Sequence, residues 1–221
     1  MKRNIDINEV SDGKLYEHND MARLGCNDCT GCHDCCTGMG KSIVLDPMDI
    51  WRIEKECNIE FDALVSKYIE FNVVDGLILP NLRQENDKEE CAFLNSEGRC
   101  SIHKARPGIC RLFPLGRIYD DEGFKYFLQV YECSKTERSK IKIKKWIGIE
   151  DISSYEKYIL EWHRFLKKCE EGQKELDENN KRVLVMYVLK TFYQTPFDIS
   201  KEETSFYKEF YDRLNKAWEL F

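Results

Sequence analysis

Long apolar runs are missing from this sequence. The longest, residues 183–189, has seven residues, whereas a transmembrane helix needs about 20. The first ten residues are polar and lack the apolar segment of a secretory signal. We therefore expect a cytoplasmic protein that has no membrane partner and keeps its thiols reduced.

Glycine-rich cofactor motifs are also missing. The sequence has no phosphate-binding glycine loop, no dinucleotide fingerprint and no nucleophile elbow. Residues 136–221 in particular show no glycine loop that would bind a cofactor. We therefore assign no catalytic residues, and whether the chain is an enzyme stays open.

An excess of positive charge is missing as well. The formal net charge is −6, whereas nucleic acids bind clustered Lys and Arg through their phosphates. A nucleic-acid partner is therefore not expected. Residues 135–145 include six basic residues, but no aromatic residue lies between them for base stacking. We interpret this segment as a solvated surface.

Cysteine, in contrast, is abundant and unevenly placed. Five of the 11 cysteines lie within residues 26–36, where Cys26, Cys29, Cys32 and Cys35 follow at three-residue intervals and Cys36 comes next. The number of cysteines is odd, and they make up about 5% of the residues, whereas disulfide scaffolds contain more than roughly 8–10% cysteine. A framework of structural disulfides is therefore not expected. Thiolates at every third residue of a tight loop can converge on one point, which predicts a soft metal centre.

Further cysteines recur downstream, at Cys91, Cys100, Cys110 and Cys133. With four cysteines from the run, they would supply either two four-ligand sites or one multi-iron cluster with thiols left over. The adjacent Cys35–Cys36 pair would point to opposite faces of an extended backbone. This pair therefore favours ligands that serve two different centres.

The spacing favours one metal without excluding the other. A zinc ribbon has two Cys-x2-Cys knuckles, and the downstream cysteines form none. The run is closer to the Cys-x2-Cys-x2-Cys of ferredoxins, although the closing Cys-Pro is absent. We favour an iron–sulfur cluster, such as a 4Fe-4S cluster, and zinc stays open as the alternative.

Several motifs carry a resemblance to a known family: Cys29-x2-Cys32-x2-Cys35-Cys36, Cys91-Ala-Phe-Leu, Gly98-Arg-Cys-Ser-Ile-His103 and Arg106-Pro-Gly-Ile-Cys-Arg-Leu-Phe-Pro114. Over residues 29–133 the sequence is similar to the YkgJ-type cysteine-cluster family, CxxCxxCC, which is described as zinc- or iron-chelating with eight recurrent cysteines. The resemblance implies that the metal ligands are Cys29, Cys32, Cys35, Cys36, Cys91, Cys100, Cys110 and Cys133.

Two residues depart from the family pattern. Cys26 adds a thiol ahead of the run, which opens a second register for the ligand set. His103 stands where relatives often have tyrosine, and its imidazole is a further candidate ligand beside Cys100.

Other residues near or outside the motifs have predicted roles. Arg106 and Arg111 flank Cys110, where they either stabilise an anionic metal centre or form ordinary salt bridges. We expect His33 to be exposed or to lie behind the ligands, His163 to be structural, and Cys57 and Cys169 to be small buried apolar residues.

The resemblance implies a site and not a reaction, because the family has no agreed activity. We expect a metal-binding protein whose iron–sulfur cluster or zinc is structural or carries electrons, with a protein partner on the helical domain. One alternative is a protein-modifying enzyme related to flagellin lysine-N-methylases, which carry a related cysteine cluster. Another is a metal storage or delivery protein.

The predicted fold class is α+β. We expect an N-terminal lead-in (1–25), a cysteine-cluster metal-binding domain with short strands and helices (26–135), and a C-terminal helical domain (136–221). Asp46-Pro47 predicts a helix start, and Asp75-Gly76 predicts a hairpin turn. The predicted helices cover 46–57, 62–70, 155–169, 176–193 and 202–220, and the predicted strands cover 71–79 and 124–131.

Overall fold

The computed structural model describes residues 6–26, 32–135 and 137–221. It has the predicted α+β class, with 45% helix and 20% strand. The helices are α1 (Ile7–Val10), α2 (Pro47–Cys57), α3 (Phe61–Lys67), α4 (Gly108–Leu112), α5 (Ile143–Ile147), α6 (Ile152–Gly172), α7 (Glu178–Leu189) and α8 (Glu203–Trp218). The strands are β1 (Met21–Gly25), β2 (Ile69–Val74), β3 (Leu77–Leu82), β4 (Gln84–Glu85), β5 (Glu90–Cys91), β6 (Leu115–Tyr119), β7 (Phe124–Leu128) and β8 (Ser139–Lys142).

The strands of the described residues form separate two-stranded antiparallel sheets. These sheets are β1–β8, β2–β3, β4–β5 and β6–β7. The β1–β8 pair joins distant parts of the sequence, since Met21 lies opposite Lys142. It therefore closes the cysteine-rich half of the chain, whose ends it brings together.

Helix α2 begins where the sequence predicts. The Asp46 side chain accepts a hydrogen bond from Asp49 N, and the Asp49 side chain accepts one from Asp46 N, which completes a capping box ahead of Pro47. Trp51 and Ile53 are buried on the inner face. The prediction of this helix is confirmed.

The predicted hairpin is also confirmed. Asp75 and Gly76 both have positive φ (49° and 82°), the backbone that a two-residue type I′ turn requires. The helix predicted over 62–70 ends earlier, at Lys67, because Ile69 pairs with Leu82 and starts strand β2.

The C-terminal helices pack through aromatic rings. The Trp162 and Phe192 ring centroids lie 5.0 Å apart, and those of Tyr158 and Phe210 lie 4.6 Å apart. Gly172 is the last residue of α6 but has a φ of −61°, and the chain continues as a 3-10 turn.

One continuous apolar core links the cysteine-rich half to these helices. The Tyr158 hydroxyl donates to Asp46 Oδ1 and accepts from Met48 N, both at 3.0 Å. Trp51 Nε1 donates to the Asp198 carbonyl at 3.2 Å. Helix α2 is thereby held against the C-terminal helices, and the domain boundary near residue 135 stays a prediction.

The helices within the described ranges are too short or too polar to cross a bilayer.

Candidate metal centre

A cavity of about 140 Å³ collects the thiols of the cysteine-rich half. The cysteines that line it are Cys26, Cys32, Cys35, Cys36, Cys91, Cys100, Cys110 and Cys133. Seven of the eight predicted ligands are therefore brought together, and the eighth, Cys29, lies outside the described residues. Cys26, the extra thiol of the sequence, lines the same cavity.

Backbone hydrogen bonds hold the cysteine run beside strand β5. Residues Asp34–Cys36 form one 3-10 turn, in which Cys36 N donates to the His33 carbonyl at 2.7 Å. Gly38 N then donates to the Glu89 carbonyl at 3.0 Å. Because Cys91 belongs to β5, these bonds place its thiol near the end of the run.

The Cys35 and Cys36 side chains contact each other. The Cys36 thiol donates to the Cys35 sulfur, which lowers the pKa of Cys35 to about 7 and raises that of Cys36. The extended backbone considered from the sequence is not adopted, because this segment is a 3-10 turn. Both side chains face one cavity, and their assignment to two centres stays a prediction.

A tight turn positions Cys100 beside Cys91. Gly98, with a φ of 69°, lets the chain reverse after Asn95, and Leu94 forms a β-bridge with Cys100. A Cβ at Gly98 would lie 3.1 Å from the His33 ring. Burial raises the pKa of Cys91 to about 11 and also raises the pKa of Cys100.

Helix α4 delivers Cys110 to the cavity. Gly108 N donates to Asp49 Oδ1 at 2.7 Å, so a carboxylate of α2 fixes the start of α4. A side chain at Gly108 would collide with the Tyr155 hydroxyl of α6. Burial, followed by repulsion from Cys91, raises the pKa of the Cys110 thiol well above its usual value.

The last cavity cysteine, Cys133, lies on the segment that follows β7. Its neighbour Ser134 donates a side-chain hydrogen bond to the Asp34 carboxylate. The end of the cysteine-rich segment is thereby tied back to its beginning. Distant positions in the sequence therefore reach one cavity through short local contacts.

The electrostatics of the thiols suit a bound cation. Repulsion between the thiolates of Cys91, Cys100 and Cys35 adds to the cost of burial. A bound metal ion reverses this balance, because a coordinating thiol is deprotonated by the metal charge. The donor set of soft sulfur atoms fits zinc or iron.

The two predicted arginines have different roles. Arg106 lines the cavity, and its charge favours the thiolate form of two cysteines. This charge adds to the hydrogen bond from Cys36 that lowers the pKa of Cys35, and it opposes in part the burial that raises the pKa of Cys100. Arg111 is 8% exposed and donates instead to the backbone carbonyls of Lys104 and Arg106. Arg106 thus acts on the thiols, whereas Arg111 fixes the loop that carries Arg106.

The histidines divide in the same way. His103 lines the cavity and contacts Arg106, and the exposed His33 lies at its edge. His163 stacks on Tyr119 with ring centroids 3.7 Å apart, as expected of a structural residue.

The two cysteines predicted to be non-ligands lie elsewhere. Cys57 packs against the apolar core, and Cys169 is fully buried within it. Neither of them lines the cavity. Among the described residues, no three His, Cys, Asp or Glu side chains are arranged to hold a metal ion as they stand.

Sequence reasoning missed several residues of the cavity wall. Lys135, Lys145 and Trp146 line it, although the segment 135–145 was interpreted only as a solvated surface. The alternation Lys140-Ile141-Lys142 was a usable signal, since it predicts one inward and one outward face. For Asp49, the sequence indicates only a role at the start of α2 and not its contact with Gly108.

Comparison with known proteins is consistent with this site. Residues 28–134 match the family model CxxCxxCC, described as a "Putative zinc- or iron-chelating domain". No curated protein and no solved structure matches the chain. The family resemblance expected from the motifs is confirmed, and metal binding is the function that this family supports. Residues 28–134 of this chain are therefore similar to the CxxCxxCC domain.

Proposed function

We propose that the cavity holds an iron–sulfur cluster and that the protein uses it to carry electrons. The observation that supports this proposal is a single cavity lined by eight cysteines from distant parts of the sequence. The proposed ligands come from Cys29, Cys32, Cys35, Cys36, Cys91, Cys100, Cys110 and Cys133, with Cys26 as the alternative at the start of the run.

The size of the cavity favours a cluster over a single zinc ion. A structural zinc ion draws four thiolates to about 2.3 Å and leaves no space between them. The cavity measures about 140 Å³, roughly ten times the volume that one water molecule requires. A multi-iron cluster with bridging sulfides would use such a space, as would two zinc ions with four thiolates each, whereas one ion would not.

The position of the cavity favours exchange of electrons with another molecule. Cys32, Cys35 and Cys100 are only partly buried, and the exposed His33 and His103 stand beside them. A centre this close to the surface can be reached without a conformational change. Solvent exposure and nearby hydrogen bonds would also set its reduction potential.

Anaerobic purification followed by iron, sulfide and zinc analysis tests the proposal. We expect broad thiolate-to-iron absorption, with about four iron atoms per chain for one cluster and about eight for two. A colourless protein with stoichiometric zinc would refute the iron–sulfur proposal. Tight binding of S-adenosylmethionine would favour an enzyme, and rapid loss of metal to a chelator would favour storage or delivery.

Matched cysteine variants separate ligands from bystanders. Cys110→Ser should lose most of the metal, because the serine hydroxyl is a poor ligand for soft metals. Cys57→Ser should keep it, since Cys57 lies outside the cavity. Full metal content in Cys110→Ser would contradict its assignment as a ligand.

A further inference from the structure

The β1–β8 ribbon presents an unusual charged surface. Its inner face carries Ala22 and Ile141, whereas Arg23, Lys140 and Lys142 are exposed on the outer face. The antiparallel register places Arg23 directly opposite Lys140. Like charges at directly opposed positions destabilise a strand pair, so this arrangement is unfavourable for the fold itself.

No acid among the described residues compensates the charge of these side chains. Within the described part of the chain, Arg23, Lys140 and Lys142 form no ion pair and no side-chain hydrogen bond. The nearest acid along β1, Asp20, accepts a hydrogen bond from Glu17 N and caps a turn. A cluster of unpaired positive charge in a chain of net charge −6 is positioned for an anionic partner.

The ribbon borders the metal cavity. Ile141, on the inner face of β8, lines the cavity, and so does the exposed Lys145 of α5. Lys135 extends the positive charge along another part of the wall. A partner that rests on the outer face of the ribbon would therefore lie next to the cysteine site.

We propose that the outer face of the β1–β8 ribbon docks the acidic patch of a partner protein beside the metal cavity. The docking itself rests only on the charges of this face. The transfer of electrons to the docked partner rests on the proposed function. Electrostatic docking of this kind raises association rates and selects the partner.

The chemistry of the face favours a protein over a nucleic acid. Met21 is the one apolar side chain on the outer face of the paired residues, and no aromatic ring is present there for base stacking. The charged face spans only a few residues of each strand, and the net charge of −6 on the whole chain would repel a longer polyanion. A folded protein with a local acidic patch avoids that repulsion.

A charge-reversal experiment on the full chain tests the proposal. The probe is a short fluorescent poly-L-glutamate peptide, and its binding is followed by anisotropy at low and moderate salt. The ribbon variant is Lys140→Glu with Lys142→Glu. The control is Lys174→Glu with Lys208→Glu, which makes the same charge change at exposed lysines elsewhere.

We expect the ribbon variant to bind the peptide at least about tenfold more weakly than wild type, and the control to differ by less than about twofold. Equal losses in both variants, or none in the ribbon variant, would overturn the proposal. If wild type binds a thymidine oligonucleotide of equal length more tightly than the peptide, the proposed protein partner is wrong and a nucleic acid is the better candidate.

Folding of the variants is followed by circular dichroism and Tm. Because Glu at position 140 would face Arg23, the ribbon variant should melt at or above the wild-type temperature. If it fails to fold, Lys140→Gln with Lys142→Gln serves in its place, and unchanged peptide binding by that variant would again overturn the proposal. Peptide binding and thermal melting can both be measured without a bound metal. A negative docking result can therefore be told apart from a negative result of the metal analysis.

Discussion

The contact between Gly108 and Tyr155 gives the sharpest test of how the metal cavity is built. A Cβ placed on Gly108 would lie under 3.0 Å from the Tyr155 hydroxyl oxygen and 3.5 Å from its Cζ atom. The hydroxyl is therefore the obstacle, and the ring itself is not. Gly108→Ala should force α4, and with it Cys110, away from α6.

The expected magnitudes follow from this geometry. Overpacking typically costs about 1–3 kcal/mol, and the better helix propensity of Ala offsets about 0.5–1 kcal/mol of it. Tyr155→Phe alone should cost about 0.5–1.5 kcal/mol, because the hydroxyl accepts a 3.4 Å hydrogen bond from Arg117. In the double variant the clash is gone, so its loss should be smaller than the sum of the two single losses by about 1–2 kcal/mol.

Urea unfolding of the four proteins in this double-mutant cycle measures the interaction energy. Metal content provides a second readout, since Gly108→Ala should lower it and the added Tyr155→Phe should restore it. Additive losses of stability in the double variant would refute the steric explanation. Unchanged metal content in a destabilised Gly108→Ala would show that the position of α4 does not govern the cavity.

Other predictions concern single positions. Asp49→Ala should destabilise the fold by about 2–4 kcal/mol, because it leaves the buried Gly108 N–H and the Asp46 N–H of the capping box without acceptors. Asp49→Asn keeps one acceptor oxygen, so its free energy of unfolding, measured in urea, should fall by less. Gly76→Ala should cost about 1–2 kcal/mol, since an L-residue is strained at a φ of 82°, and a lack of effect on the urea midpoint would contradict the turn. Burial lowers the pKa of His163 from 6.5 to about 4, so the stability that the neutral imidazole contributes is fully present above pH 6.5 and should fall as the pH drops towards 4. His163→Phe should remove that part of the pH dependence, which thermal melts across this range would measure.

Local signals in the sequence predicted local structure well. Asp46-Pro47 and Asp75-Gly76 each determine backbone geometry over a few residues, so the helix start and the hairpin turn needed no knowledge of the rest of the fold. Where tertiary contacts competed, the predictions shifted. Pairing of Ile69 with Leu82 ended helix α3 early. At Cys35–Cys36 the backbone is a 3-10 turn, so the opposite directions expected of neighbouring side chains on an extended backbone do not apply there.

The sequence by itself determined the chemistry of the site, because the number and spacing of cysteines predict soft-metal binding whatever the fold. Only the tertiary structure decided which side chains surround that chemistry. Asp49 reaches Gly108 across 59 positions of the chain, and the β1–β8 register places Arg23 against Lys140. Such contacts depend on how distant segments meet, and no local pattern of residues contains that information.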